Sequence, residues 1–563
     1  EVWSNKSDPI TEQSIETYRK IWESSRRQAF VRPEKIDLGP CDVIVPNLMQ
    51  EQALDKLARV REKRHNRSLI ISATGTGKTV LSALDVRNFN AKKLLFVVHR
   101  LNICRKAMSE FKRVFGESRS MSIYCAEESL DKSADFVFST VQTINKEHHL
   151  REFSADEFDY IIIDETHRAG AKTYQKIIDY FTPKFLLGMT ATPERTDGFD
   201  IFSLFNHSVA YEIRLQNAMH ADLLVPFHYF GVTDISVDGE LLDDDSDFNR
   251  LISEERINHL INTLDEYGCD SGIPRGLIFC SKVEEARELS KSLNAKDLKT
   301  LPLTGEDSAD SRENAILKLE SDGTDKLDYL ITVDVFNEGV DIPRVNQVVM
   351  LRPTSSAIIF VQQLGRGLRK SVGKEYVTVI DFIGNYKNNY LIPVALFGDS
   401  SFSKDRLRKL LSAGSSLIPG SSSISFEEIA RERVFASIDS SKLNTKKALT
   451  EDFNLLKFRL GRPPLMADFI NNKSRDPYQY VNYSGSLLAF TIAMGECPEV
   501  PSRGLELLEY LSKYVCDGIR LEEVIILREL ITKESLSIDQ LKHIMIDECG
   551  FHTEDTIIAN AIH

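Results

Sequence analysis

The sequence predicts an α/β protein of two lobes, each a parallel sheet flanked by helices, followed by a mainly helical C-terminal region. Three observations predict it. Short β-rich apolar runs recur between helical stretches, they fall into two series parted by a polar and acidic stretch, and beyond Asn385 such runs become few. Runs of four or five residues that are apolar throughout suit strands covered on both faces, as in parallel sheets packed between helices.

Taken in order, residues 1–40 are polar and mixed, without the basic and apolar regions of a secretion signal. The chain begins with Glu1 rather than Met, which reads as a fragment or a processed form. Leu94–Val98, Phe136–Phe138, Tyr160–Ile163 and Phe185–Leu187 form the first series and place one lobe at residues 41–215. Leu277–Phe279, Tyr329–Val333, Val348–Leu351 and Tyr376–Ile380 form the second and place another at 216–395. The acidic stretch Asp238–Asp247 reads as a solvated loop. Gly414–Ser425, rich in Ser, Gly and Pro, reads as a linker or surface loop that opens the third region, 396–563. Within that region Leu536, Ile538, Leu541, Ile544 and Met545 would share one helix face.

Composition narrows the function classes. No run of about 18 apolar residues exists, so no membrane span is expected. The net charge of −14, from 84 acidic and 70 basic residues, gives no argument for a polyanionic partner. It does not exclude one, because a protein that moves along a polyanion needs only local basic patches. The eight cysteines form no C-x-x-C pair and read as free thiols in a reducing cytoplasm.

Ser72–Thr79 reads SATGTGKT, between the apolar pair Ile70–Ile71 and a helical stretch. Thr74, Gly75, Thr76 and Gly77 make a loop whose backbone N–H groups can face phosphate oxygens, the glycines removing Cβ interference. Lys78 brings a cation to the β- and γ-phosphates, Thr79 a hydroxyl for Mg²⁺, and the following helix its N-terminus. About 85 residues on, IIIDETH ends an apolar strand in two acids. Asp164 would hold Mg²⁺ through water, and Glu165 would orient and deprotonate an attacking water.

The ordered series SATGTGKT, VVHR, STVQT, DETH, MTATPER, LIFC, TVDVFNEGVDIP and QQLGRGLRK resembles the full motif set of superfamily 2 helicases from about Pro46 to Tyr386. The resemblance implies two tandem RecA-like lobes and ATP-driven movement on nucleic acid. Gln50 resembles the glutamine that reads adenine, although a glutamine on an amphipathic helix is also ordinary. Thr190 and Thr192 resemble the hydroxyl motif coupling hydrolysis to lobe movement. Gly339 and Asp341 resemble residues of the second lobe facing nucleotide and track. Gln362, Arg366 and Arg369 match Q-x-x-G-R-x-x-R, the arginines being fingers that reach across the cleft to the γ-phosphate. His99, Arg100, Ser139, Thr140 and Thr143 fall where family members touch the strand backbone, contacts that carry no sequence information.

DETH in place of D-E-A-D, together with FNEGVDIP and GRGLRK, looks more like restriction-enzyme translocases than RNA helicases, so duplex DNA is favoured. The tail, with LIPGSSSISFEEI and LLKFRLGRPPLMADF, resembles the bacterial family that joins a phospholipase-D-type nuclease, a helicase and a C-terminal domain. That family includes the staphylococcal type IV restriction enzyme. The resemblance implies a bacterial cytoplasmic enzyme of phage defence that cleaves DNA carrying methylated or hydroxymethylated cytosine. Its implied partners are DNA, an upstream or associated nuclease domain, and a second copy joined through that nuclease. No His here is followed two residues later by Lys, so this stretch lacks the nuclease signature, and residues 1–40 read as the end of such a domain. A free-standing repair or RNA helicase remains the alternative. A nucleotide-binding regulator is disfavoured because Lys78, Glu165 and Arg369 are all present.

Overall fold

Parallel strands need crossover connections to return the chain, and from Leu48 to Phe397 helices recur between most of the strands. The computed structural model describes residues 44–125, 131, 133–166, 172–193, 199–237, 240–241, 253–333, 342–352, 357–418, 421–515, 521–533, 535–549 and 554–562. The segment 1–40, Gly339 and Asp341 lie outside the described residues, as do the side chains of Gln362 and Arg366. Glu1–Val45 separates as a unit of its own from Pro46–His563, which contains both sheets and the C-terminal helices.

Strands β1 (Arg67–Ser72), β2 (Leu94–Val98), β3 (Met121–Tyr124), β4 (Phe136–Thr140), β5 (Tyr160–Asp164), β6 (Phe185–Thr190) and β7 (Val209–Ile213) form the first sheet. Their order is β3-β4-β2-β5-β6-β1-β7, with every pair parallel. Successive side chains take opposite faces. Leu69, Ile71, Leu95, Val97, Ile161 and Ile163 enter one apolar cluster, while Ile70, Leu94, Phe96, Val98 and Ile162 enter the other. Both faces are covered, which is why these runs show no alternation of polarity. Leu101–Phe115, one of the covering helices, buries Cys104, Ala107 and Phe111 from a single face.

The second sheet repeats the plan. After β8 (Phe227–Thr233), a two-residue ribbon of β9 (Ser236–Val237) and β10 (Glu240–Leu241) begins the acidic stretch, the rest of which lies outside the described residues. Then come β11 (Gly276–Phe279), β12 (Thr300–Leu303), β13 (Tyr329–Thr332), β14 (Gln347–Met350), β15 (Val377–Ile383) and β16 (Ser423–Phe426). The order is β12-β13-β11-β14-β15-β8-β16, again wholly parallel. These are two tandem RecA-like lobes, and each of the eight apolar runs of the sequence falls on one of their strands, with Val333, Leu351 and Tyr376 lying one residue beyond a strand end.

The stretch Gly414–Ser425 corrects the linker reading at its end. Ser423–Phe426 pairs with β8 from Ser423 opposite His228 to Phe426 opposite Gly231. An edge strand needs little apolar surface, and of Ser423–Phe426 only Ile424 is buried. The serines serve as hydrogen-bonding groups: Phe227 N–H donates to Ser422 Oγ at 3.1 Å, and Ser423 Oγ meets His228 Nδ1 at 2.7 Å. Gly231 makes room for the strand, since a Cβ there would lie 2.3 Å from the Phe426 ring.

The C-terminal region is helical and packs around two small clusters, one centred on Phe453, Phe469, Tyr480 and Phe490, the other on Ile525, Leu541, Met545 and Ile558. Leu536 and Ile544 pack against the second, whereas Ile538 is 43% exposed, off the face expected for it. Helix Lys446–Leu460 docks on the first lobe, where Arg459 pairs with Glu212 at 2.5 Å. Among the described residues no helix is long and apolar enough to cross a membrane.

Candidate active site

The cradle leaves β1 at Ser72 and enters helix Lys78–Phe89 through Gly77. Gly75 and Gly77 both hold φ of +85°, a backbone region that side chains with a Cβ rarely adopt. Inside the loop, Ser72 Oγ and Thr76 Oγ1 are 2.6 Å apart, and Thr76 donates to Ala73 O at 2.8 Å. Lys78 Nζ donates to Ser72 O at 2.9 Å and to Ala73 O at 3.4 Å, laying the ammonium across the loop. Thr79 stands half-buried in the first helical turn. Gln50 lies in helix Leu48–Glu62, where it shares a capping box with Asn47. Its Nε2 donates to Gly77 O at 3.3 Å, so the glutamine is tied to the cradle at the edge of the loop.

The two acids end β5, and β5 and β1 both pair with β6. Cradle and acids are therefore about 10 Å apart along the strand ends, twice the strand spacing. That edge, the carboxyl end of a parallel sheet, is where α/β proteins bind ligands. Asp164 is nearly buried, and its Oδ1 accepts the Glu165 N–H at 3.0 Å. Glu165 holds φ of +53°, an uncommon backbone for this residue type and one that concentrates at functional sites. Thr166 Oγ1 anchors the turn by donating to Met189 O at 3.1 Å. Between acids and cradle, at the end of β6, Thr190 Oγ1 receives the Thr192 N–H at 3.2 Å and donates to Thr192 O at 3.1 Å.

The second lobe presses on this edge. In helix Ala357–Gly367, a Cβ on Gly365 would lie 2.2 Å from Thr74 Oγ1. A Cβ on Gly75 would lie 2.9 Å from Arg369 Cγ and 3.1 Å from Leu224 Cδ2. Burial pushes the Arg369 guanidinium down to about 10, against the pull of the Glu165 carboxylate. The segment that carries Arg369 is also fastened to the interlobe connection, where Val225 N–H donates to Leu368 O at 2.9 Å and Lys370 pairs with Asp222 at 2.8 Å.

Residues 44–195 match the family described as "Type III restriction enzyme, res subunit", and residues 255–371 match the helicase conserved C-terminal domain. These are the two domains of a superfamily 2 helicase. Residues 449–563 match a domain of unknown function, DUF8090. A Saccharomyces cerevisiae protein named as the ATP-dependent helicase IRC3 is 26% identical over 360 residues, 60% of this chain and 51% of the relative. The Escherichia coli type I restriction enzyme EcoAI endonuclease subunit is 26% identical over 381 residues, 60% of this chain and 46% of the relative. The chain spans about half the length of these curated relatives. The solved structure of the ATP-dependent type ISP restriction-modification enzyme LlaBIII bound to DNA shares the fold, with a TM-score of 0.51 and 17% identity over 92% of this chain and 43% of that one.

Superfamily 2 helicases use ATP, usually with Mg²⁺, and the donors at hand suit both. The Thr79 hydroxyl, in the helix that follows β1, and the Asp164 carboxylate, at the end of β5, are hard oxygen donors on strands that flank β6. The glycines of the cradle keep its backbone open. Further along the same edge, β2 and β4 pair with Val98 opposite Thr140, which brings His99 and Arg100 beside Thr140 and Thr143. Arg100 is half-buried and His99 nearly buried. Thr140 and Thr143 share a hydrogen bond of 3.0 Å between their hydroxyls. Ser139 departs from the sequence reading. It is fully buried and its hydroxyl donates to Tyr124 O at 2.8 Å, so it holds the turn from beneath and offers no group to a strand.

Sequence reasoning missed three parts of this site: Leu224 against the cradle, the contact of Gly365 with Thr74, and Lys374, whose ammonium binds backbone carbonyls around Arg369. Each depends on residues far apart in sequence. Only the strict glycine in Q-x-x-G-R-x-x-R carried a visible signal, as a place where backbone approaches another surface.

Proposed function

We propose that this chain is the ATP-driven DNA translocase of a modification-dependent restriction enzyme, with duplex DNA as its track. One observation carries the motor reading. Arg369 of the second lobe lies against Gly75 of the cradle and within electrostatic reach of Glu165, so the two lobes bring complementary groups to one cleft. In this reading the cradle and Lys78 hold the triphosphate, and Thr79 and Asp164 hold Mg²⁺. Glu165 orients and deprotonates the attacking water. Arg369, with Arg366, neutralises charge on the γ-phosphate only when the lobes are closed, which makes turnover depend on closure. Thr190 and Thr192, at the strand between cradle and acids, couple hydrolysis to lobe movement together with Gln362, and Gly339 and Asp341 serve nucleotide binding from the second lobe, as the family resemblance implies. Gln50 contributes by bracing Gly77 and reading the base. His99, Arg100, Thr140 and Thr143 face the track on the neighbouring strand ends.

Similarity to a type I restriction endonuclease subunit supports the restriction role, and the motif variants favour duplex DNA. A modification reader and a phospholipase-D-type nuclease would then belong to the complete enzyme. Similarity to a yeast protein named as an ATP-dependent helicase favours a second reading, a free-standing repair helicase. ATP turnover measured in parallel with unmodified duplex, methylated duplex, single strands and RNA separates them. Stimulation by duplex without strand separation is the expected result. Stimulation by RNA or single strands alone would replace the proposal with a helicase of another track.

A further inference from the structure

Lys374 lies in the loop between the Arg369 segment and β15, after Gly373, whose φ of +78° turns the chain back. Its ammonium donates to Gly367 O at 2.5 Å, Pro343 O at 2.9 Å and Arg369 O at 3.0 Å. Those three acceptors match the three N–H groups of an ammonium. Gly367 O is a terminal carbonyl of helix Ala357–Gly367, where a cation answers both an unpaired acceptor and the negative end of the helix dipole. Pro343 is the last residue of the motif FNEGVDIP. Arg369 O belongs to the arginine itself. The next residue is pinned as well, since Glu375 N–H donates to Asp270 Oδ2 at 2.8 Å.

We infer that Lys374 is a positioning residue for Arg369, fixing the arginine's peptide so that its side chain meets the cradle. Arg369 has two backbone anchors at this point, the bond of Leu368 O to the interlobe connection and the bond of its own carbonyl to Lys374. The first sets the distance between segment and linker, and the second sets the rotation of the peptide from which the side chain departs. Burial pushes the Lys374 ammonium down to about 7, Asp270 pulls it back up, Arg369 presses it down and Glu320 favours the charge. The three bonds form where desolvation and a second cation disfavour the charge, so it is the placement of the side chain against those carbonyls that carries the inference. The inference rests on the reading of Arg369 as the group that reaches the γ-phosphate.

The test compares Lys374→Met, Arg369→Ala and the double variant in duplex-stimulated ATP turnover, with binding of a fluorescent ATP analogue and thermal unfolding measured on the same samples. Lys374→Met is expected to lower kcat by roughly 10- to 100-fold, the cost of displacing a reacting group by about 1 Å, with KM for ATP changed less than about threefold. The double variant should be no slower than Arg369→Ala alone, because both changes remove one contribution. Lys374→Gln, which keeps two N–H donors, should fall between Met and Lys, and it carries the same comparison if the Met variant does not fold. Loss in the double variant equal to the product of the two single losses overturns the inference, as does a Met or Gln variant with wild-type kcat beside a slow Arg369→Ala. A wild-type rate in Arg369→Ala would instead remove the reading of Arg369 on which the inference rests.

Discussion

Gly365 sits where the second lobe touches the cradle, and one methyl group there measures how closely the lobes must meet. A Cβ on Gly365 would stand 2.2 Å from Thr74 Oγ1, and real Cβ atoms essentially never come closer than 3.0 Å. Gly365→Ala must therefore move the helix from the loop by about 0.8 Å, the difference between those distances. Thr74 is β-branched and stiff at χ1, so its hydroxyl does not swing away without cost. A displacement near 1 Å of a catalytic group lowers rate by on the order of 100-fold, about 2.7 kcal/mol of barrier. Loss of fold is not the cause to expect, because Ala in place of Gly in a helix stabilises by about 0.5–1 kcal/mol. Thr74→Ala supplies the internal control. It removes Oγ1 and leaves Cβ 3.6 Å from the new methyl, an ordinary contact. In steady-state ATP turnover, Gly365→Ala should be slow, and the double variant should return to within about threefold of Thr74→Ala alone. Gly365→Ala turning over at the wild-type rate, or a double variant as slow as Gly365→Ala, would refute the reasoning.

Glu165→Gln should retain ATP binding and lose turnover by about 10²–10⁴-fold, the range for a general base, in paired equilibrium-binding and phosphate-release assays. Asp381 predicts a pH dependence of stability. Burial pushes its carboxyl up to about 7, the Tyr229 hydroxyl draws it down through a 2.7 Å bond, and Asp234 raises it. A raised folded value means the native state keeps a proton that the unfolded chain has released. This contribution is complete below about pH 4, declines by about 1.4 kcal/mol per pH unit as pH rises toward 7, and is flat above. Asp381→Asn keeps an acceptor for Tyr229 and removes that slope, so urea midpoints at pH 5 and pH 8 should differ less in the variant than in the wild type.

The sheets were legible because strands buried on both faces must be apolar throughout, as in Leu94–Val98 and Tyr160–Ile163. The cradle and the acids were legible because phosphate chemistry restricts both residue type and spacing. Ser423–Phe426 was not, since an edge strand pairs through its backbone and asks for one buried side chain, Ile424. Ser139 was misplaced because a motif assigns position along a strand end, while face is set by packing, and the packing turns this hydroxyl toward Tyr124. Lys374 left no trace because its partners are backbone carbonyls, which any residue supplies. Leu224 read as one apolar residue among many until the fold set it beside Gly75.

The central claim is that ATP turnover needs a cation delivered by the second lobe to a nucleotide held by the first. Its most direct test is Arg369→Ala against wild type, with ATP affinity and duplex-stimulated kcat measured on the same preparation. The account predicts affinity within a few-fold of wild type and kcat lowered by about 10³-fold or more. Wild-type kcat in that variant would contradict it.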